Sequence, residues 1–349
     1  MGRSLLRIVA LAVVMLASGR GAVLLSARRL EIQARESALQ CDFTGRRVKP
    51  QEALLYLPPR PLCQVTGHTG VESESVPATF MDLTPAELAK EVHELKHLTS
   101  ADGQAMLPMI LERVGETVVD FFDSFSNTTC SERISSTVDT TVDTIPHRLP
   151  LHYDGKFNYV ALIRPGQKEA LLQEFRTDSK GEPAKPRGAV LTSGFVSLIS
   201  YFRPTYQRDS RFRYLGRELV KGLNTYVVAF AQRPGVARQA EYVTFGDRTG
   251  FVLLQGVAWI DPVSFRVLRL RTEIQQPELN VGLSRETTEV GYSQVTFKQG
   301  LKTMWLPREV TVSGQLGRYV FSNQHHYSQY RFFNVQAGEK QKNLDPTER

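Results

Sequence analysis

The stretch Arg211-Phe212-Arg213-Tyr214-Leu215-Gly216-Arg217-Glu218-Leu219-Val220-Lys221-Gly222-Leu223-Asn224-Thr225-Tyr226-Val227-Val228-Ala229-Phe230-Ala231 carries the fold in miniature. Its opening tetrapeptide alternates strictly, so basic side chains fall on one face of a strand and aromatic ones on the other. Lys221-Gly222 is a turn signal. After it, Tyr226 to Ala231 is apolar at every position, so that strand is expected to be covered on both faces.

Working outward, the same grammar recurs. Phe157, Tyr159, Ala161 and Ile163 alternate with their neighbours from a start near Cys130, and further runs cover Phe251 to Ile260, Phe265 to Ile274 and Met304 to Val312. Turn signals separate them at Arg164-Pro165-Gly166, Ser179-Lys180-Gly181, Arg233-Pro234-Gly235, Gly246-Asp247, Asp261-Pro262 and Gln299-Gly300. Short runs between such turns predict an antiparallel meander. One helix, Gly194 to Phe202, is expected inside it, stopped by Pro204. Strands do not alternate with helices, which disfavours a doubly wound parallel sheet.

Ahead of the strands lies a two-helix segment, placed at 81–127. Thr84, Pro85 and Glu87 form an N-cap, a first-turn proline and a capping box. Leu88, Val92 and Leu95 share a face, and the helix is expected to end near Ser100 to Gly103. Leu107, Ile110, Leu111, Val114, Val118, Phe121, Phe122 and Phe125 then recur at threes and fours, with Asn127 marking the exit.

The N-terminus has the order of a secretory signal peptide, placed at 1–27: Arg3 and Arg7, an apolar run from Ile8 to Ala17, then small residues. Ser18, Gly19, Arg20 and Gly21 break the run, so export to the periplasm or beyond is expected, with membrane association only through this segment if it is uncleaved. Arg3, Arg7 and Arg20 supply three of the seven net positive charges. The small remainder, without basic clusters, argues against a nucleic-acid partner. Residues 28–80 read as a lead-in with prolines at 58, 59 and 61, and 336–349 as a charged, frayed tail. Cys41, Cys63 and Cys130 leave an odd thiol in an oxidising compartment, and their spacing fits no zinc pattern. Cys130 reads as a structural thiol or half-cystine.

Chemistry-bearing motifs are few. His93-Glu94-Leu95-Lys96-His97 matches H-E-x-x-H, where His93 and His97 would bind zinc and Glu94 would activate water. Against a zinc hydrolase stand the intervening Lys96, the lack of an obvious third ligand beyond Glu112 or Glu116, and the placement of both histidines opposite the apolar face. His325-His326 reads as strand surface, because adjacent residues point to opposite faces. No cofactor motif is present: no G-x-S-x-G elbow, Walker loop, G-x-G-x-x-G or EF-hand loop. The remaining hint is apolar. Phe195, Leu198, Ile199 and Phe202 form a stripe on the inserted helix which, laid over the concave side of a curved sheet, would close a cavity.

Phe212 to Glu218, then Lys221 to Phe230, and later Gly256-Val257-Ala258-Trp259-Ile260-Asp261-Pro262 followed by Val267-Leu268-Arg269-Leu270, form a recognisable succession. It resembles the periplasmic lipoprotein-carrier superfamily of LolA-like and RseB-like domains, over about residues 128–335. The resemblance implies an α+β fold: a strongly curved antiparallel half-barrel, covered by helices, whose concave side can hold acyl chains. No lipid-handling residue of the carriers is matched. The reading is a non-enzymatic envelope protein that binds a lipid-like ligand or a lipidated partner, with Phe195, Leu198, Ile199, Phe202 and Trp259 as cavity candidates. A structural module that binds protein partners through exposed sheet edges is the other non-enzymatic alternative.

Overall fold

The computed structural model describes residues 78–141, 151–164, 171–184, 192–238, 241–245, 248–297 and 302–333. The signal segment, Cys41, Cys63, most of the lead-in and the tail lie outside them.

The capping box forms as its residues dictate: Glu87 N–H donates to Thr84 Oγ1 at 3.2 Å, and Thr84 N–H to Glu87 Oε2 at 2.8 Å. Helix α1 (Pro85–Glu91) is shorter than its periodicity implies. Val92 leaves helical geometry, His93–Leu95 forms a 3-10 turn, and Thr99–Ser100 becomes strand β1. Tertiary pairing decides this: Thr99 and Ser100 pair with Arg217 and Gly216. Gly216 is needed there, since its φ is +136° and a Cβ would lie 2.0 Å from Thr99 O.

Helix α2 (Leu107–Ser124) follows, and its buried stripe is Ile110, Val114, Val118 and Phe122. The later strands are β2 (Thr128–Thr140), β3 (Leu151–Arg164), β4 (Leu171–Thr177), β5 (Ser210–Val220), β6 (Leu223–Gln232), β7 (Glu241–Phe245), β8 (Arg248–Val252), β9 (Leu254–Ile260), β10 (Val267–Ile274), β11 (Leu283–Thr296), β12 (Thr303–Leu316) and β13 (Tyr319–Phe332). Eleven form one open antiparallel sheet in the order β1-β5-β6-β9-β10-β11-β12-β13-β2-β3-β4, and β7 and β8 pair separately. The fold is the curved half-barrel anticipated above. Two strand glycines sit under aromatic rings: Gly256 pairs with Phe230, and Gly314 with Phe321. A Cβ at either would lie within 3 Å of its partner's ring and of a neighbouring strand's carbonyl oxygen.

The inserted helix differs from expectation. It is a 3-10 helix over Ser197–Phe202, and Pro204 opens a short helix α3 (Pro204–Gln207) instead of ending one. Proline's missing N–H is harmless in a first turn. The run from Phe251 to Ile260 is split between two strands, and Phe251 is exposed.

Both faces of the sheet are covered, but not alike. Helix α2 and the 197–207 segment lie on the inner face and close the large core with Tyr214, Val228, Phe230, Leu270, Val290 and Val310. On the outer face, residues 80–98 pack over β5, β6 and β9, burying Phe80, Leu88, Val92 and Leu95 against Leu215, Val227, Ala229, Val257 and Trp259. That explains why Tyr226 to Ala231 is apolar throughout. Each fully buried aliphatic side chain here is worth about 1.5–3 kcal/mol. The alternating tetrapeptide serves both sides as well: Phe212 and Tyr214 face inward. Outward, Arg213 Nη1 donates to Leu83 O at 2.6 Å and Arg211 Nη2 to Thr79 Oγ1 at 2.7 Å.

Candidate functional site

A cleft of about 390 Å³ opens on the inner face between α2 and strands β10 to β12. Its apolar wall is Val118 and Phe121 from α2, Ile199 from the 3-10 helix, and Val267, Tyr292, Met304 and Trp305 from the sheet. Thr117, Asp120, Ser124, Ser264, Arg266 and Thr303 add polar groups. An apolar wall with a few polar groups and this volume fits a small-ligand site, for which roughly 300–1,000 Å³ is usual. Trp305 is half-buried and its indole Nε1–H has no acceptor among the described residues. Arg266 stacks over the Trp305 ring at 5.8 Å. Tyr292 fixes the 3-10 segment by donating from its hydroxyl to Phe195 O at 2.9 Å.

The five cavity candidates do not share this site. Ile199 lines the cleft. Phe195, Leu198 and Phe202 are buried in the inner core beside it, where Phe202 packs against Phe212 and Phe230. Trp259 belongs to the opposite face. There its Nε1–H donates to Glu218 Oε2 at 2.7 Å, and Arg269, its partner in the β9–β10 register, lies over its ring at 4.8 Å. Strand alternation places Trp259 and Ile260 on opposite sides, and Trp259 takes the outer one, away from the expected cavity.

The H-E-x-x-H motif also sits on the outer face. The helix breaks at Val92, so His93 and His97 are not one α-helical turn apart, and both are exposed. Glu94 is turned inward. Its carboxylate accepts from Arg271 Nη1 at 2.9 and 3.2 Å, with Arg269 at 3.6 Å. Burial opposes its charge, but its own backbone N–H and Arg271 outweigh that and hold its pKa below the ordinary value. The neighbouring Glu289, which pairs with Arg269 at 2.6 Å, is pushed up by burial and by Glu94. Among the described residues no group of three His, Cys, Asp or Glu could hold a metal ion. Glu94 therefore clamps the outer segment to β10.

A second constellation, which the sequence reading missed, lies under Phe195 on strands β2, β3, β4 and β13. Arg176 forks onto Glu132, with Nε to Oε2 at 2.5 Å and Nη2 to Oε1 at 2.8 Å. Tyr327 donates to Glu132 Oε1 at 2.7 Å, and His325 Nδ1 lies 2.9 Å from it. Glu132 and His325 are fully buried, so His325 is interior and His326 alone is strand surface, against expectation. Glu174 accepts from Tyr159 at 2.6 Å and from Val196 N–H and Ser197 N–H at 2.9 and 2.8 Å, tying the 3-10 segment to β4.

The charges respond accordingly. Burial alone would raise the Glu132 carboxyl, but Arg176 and the His325 hydrogen bond hold it down at about 2. Burial raises Glu174 and lowers His325, keeping the imidazole neutral. Its Nδ1–H then donates to Glu132, while Nε2 has no partner among the described residues. Cys130 has no disulfide partner among the described residues, and burial with the charge of Glu132 pushes its thiol pKa up, away from reactivity. This network holds strands together and offers no accessible nucleophile. An odd polar residue at an inward strand position was its only sequence signal.

No protein-family model matches the chain, and no curated protein matches it significantly. Solved structures with similarity to it include a putative outer membrane lipoprotein-sorting protein domain from Vibrio parahaemolyticus, at 12% identity and a TM-score of 0.34, covering 68% of this chain and 94% of that one. A DUF1329 family protein from Desulfovibrio piger aligns at 12% identity and a TM-score of 0.32, over 64% and 92% of the two chains. The lipoprotein LppX of Mycobacterium tuberculosis aligns at 10% identity and a TM-score of 0.21, over 66% and 99%. Similarity this remote leaves the function to be argued from the chain's own residues.

Proposed function

We propose that the protein is a non-enzymatic binder of an apolar, lipid-like ligand or the acyl chain of a lipidated partner, working outside the cytoplasm. The cleft between α2 and β10–β12 carries this reading: an apolar wall of Val118, Phe121, Ile199, Met304 and Trp305 with an unpartnered indole N–H. Acyl burial there would contribute about 0.8 kcal/mol per methylene. The export signal in the sequence supplies the compartment.

The test is denaturing lipid extraction and mass analysis of the purified protein, with uptake of a fluorescent fatty acid by the delipidated form. Phe121→Asp places a charge on the cleft wall at a half-buried position, and retention should be lost with the fold intact. Leu219→Asp, at an exposed site on β5, should leave it unchanged. A wild-type protein that neither carries acyl species nor takes up the probe would sink the proposal. Phe202 is unsuited to this test, since a charge at a fully buried core position would unfold the protein.

A further inference from the structure

The sheet forks between β12 and β13. Their ladder runs from Leu316 opposite Tyr319 to Glu309 opposite His326 and stops. Beyond it, β12 continues beside β11 to Thr303, and β13 continues beside β2 to Phe332. The sequence supplies the reason. Pro307 has no N–H to give a ladder. Arg308 is the extra residue of a bulge, because Glu309 stands opposite Gly291 and Pro307 opposite Tyr292. On β13 the register slips between Ser328 and Arg331, where Gln329 takes φ +57°, a conformation rare outside glycine. Bulges bend a strand and re-aim its side chains. Among the described residues the fork is spanned by a hydrogen bond from the Tyr330 hydroxyl to Pro307 O at 2.5 Å, and by Phe297 stacked on Phe332 at 3.7 Å towards its open end.

A cleft of about 650 Å³ lies at this fork, lined by β11 residues 293–296 and the adjoining Phe297, Arg308, and β13 residues 327–331. Its chemistry is one-sided. It has two guanidinium groups, several hydroxyl and amide side chains, and no carboxylate. Arg308 and Arg331 are exposed, and neither has an acidic partner among the described residues. Two other surface arginines are paired, Arg113 with Glu116 and Arg211 with Asp82, while Arg133 and Arg285 are exposed but do not line this cleft. Glu309, next in sequence to Arg308, lies towards His326 at 3.9 Å.

We infer that the β12–β13 fork is an anion site, in which Arg308 and Arg331 hold a phosphate-type oxyanion with neutral donors completing its shell. Guanidinium is the group suited to such an oxyanion, since it offers paired N–H donors in a plane and stays charged. The inference does not depend on the apolar cleft being filled.

The test is calorimetric titration in phosphate-free buffer with two probes, inorganic phosphate and dihexanoylphosphatidic acid, on wild type and on the Arg308→Ala, Arg331→Ala double variant. The wild type is expected to bind at least one probe, and the double variant to bind it about tenfold more weakly or worse. Its thermal midpoint should not move, because both side chains are exposed. Binding of both probes identifies the oxyanion itself as the ligand. Binding of the phosphatidic acid alone makes the fork a headgroup seat. No binding of either probe by wild type, or equal affinity in the double variant, overturns the inference.

Discussion

Two regions of one sheet are held together by opposite means. Under residues 80–98, strands β6 and β9 are apolar on both faces, and the polar pairs are few: Trp259 with Glu218, and Glu94 with Arg271. Across the sheet, β2, β4 and β13 place Glu132, Arg176 and His325 in the interior itself. The first region is held by area removed from water, which is forgiving of detail. The second is held by a closed hydrogen-bond network, in which each member depends on the others and a single loss leaves a buried charge alone.

That contrast can be broken by substitution. The largest effect is expected for Glu132→Ala, which leaves the Arg176 guanidinium buried without its carboxylate. Unfolding by denaturant should show a loss of about 3–5 kcal/mol, and a loss below 1 kcal/mol would mean the network is not the tie it looks like. Next comes acid. The Glu132 carboxyl is held at about 2, below its ordinary 4.5, so its contribution is present above the ordinary value and lost as pH falls from there towards 2. Glu174, raised by burial, acts in the opposite sense and weakens the fold as pH rises through its pKa. Stability measured from pH 5 to 2 should therefore fall less steeply in Glu132→Gln than in wild type; parallel slopes would remove Glu132 from the account. The smallest effect belongs to the apolar region. Trp259→Phe keeps most of the buried area and removes the indole donor to Glu218, for about 1–3 kcal/mol in the same unfolding measurement. A larger loss than Glu132→Ala would invert the comparison.

Legibility in the sequence divides along the same line. The capping box at Thr84, the stripe of α2, the Lys221-Gly222 hairpin and the doubly covered β6 were readable, because each is a local pattern of polarity with a fixed period or a turn residue with one conformational use. Of the candidate cavity residues, Ile199 reached the cleft, while Phe195, Leu198 and Phe202 became core and Trp259 fell on the other face. The motif at Glu94 was legible as residue types and misleading as chemistry, since Arg269 and Arg271 are some 175 positions away. Phe121, Met304 and Trp305, which wall the cleft, carry no mark that separates them from core.

By itself, the sequence determined the strand grammar, the capped start of α1 and the apolar stripe of α2, all of which depend on neighbours within a few residues. Only the tertiary structure decided which polar side chains meet. Glu132 and His325 are 193 residues apart, and Arg308 and Arg331 stand at a fork that exists because two distant ladders diverge. Periodicity tells which face a side chain takes, but a site is made by register between strands, and register is fixed only when the whole sheet closes around its core.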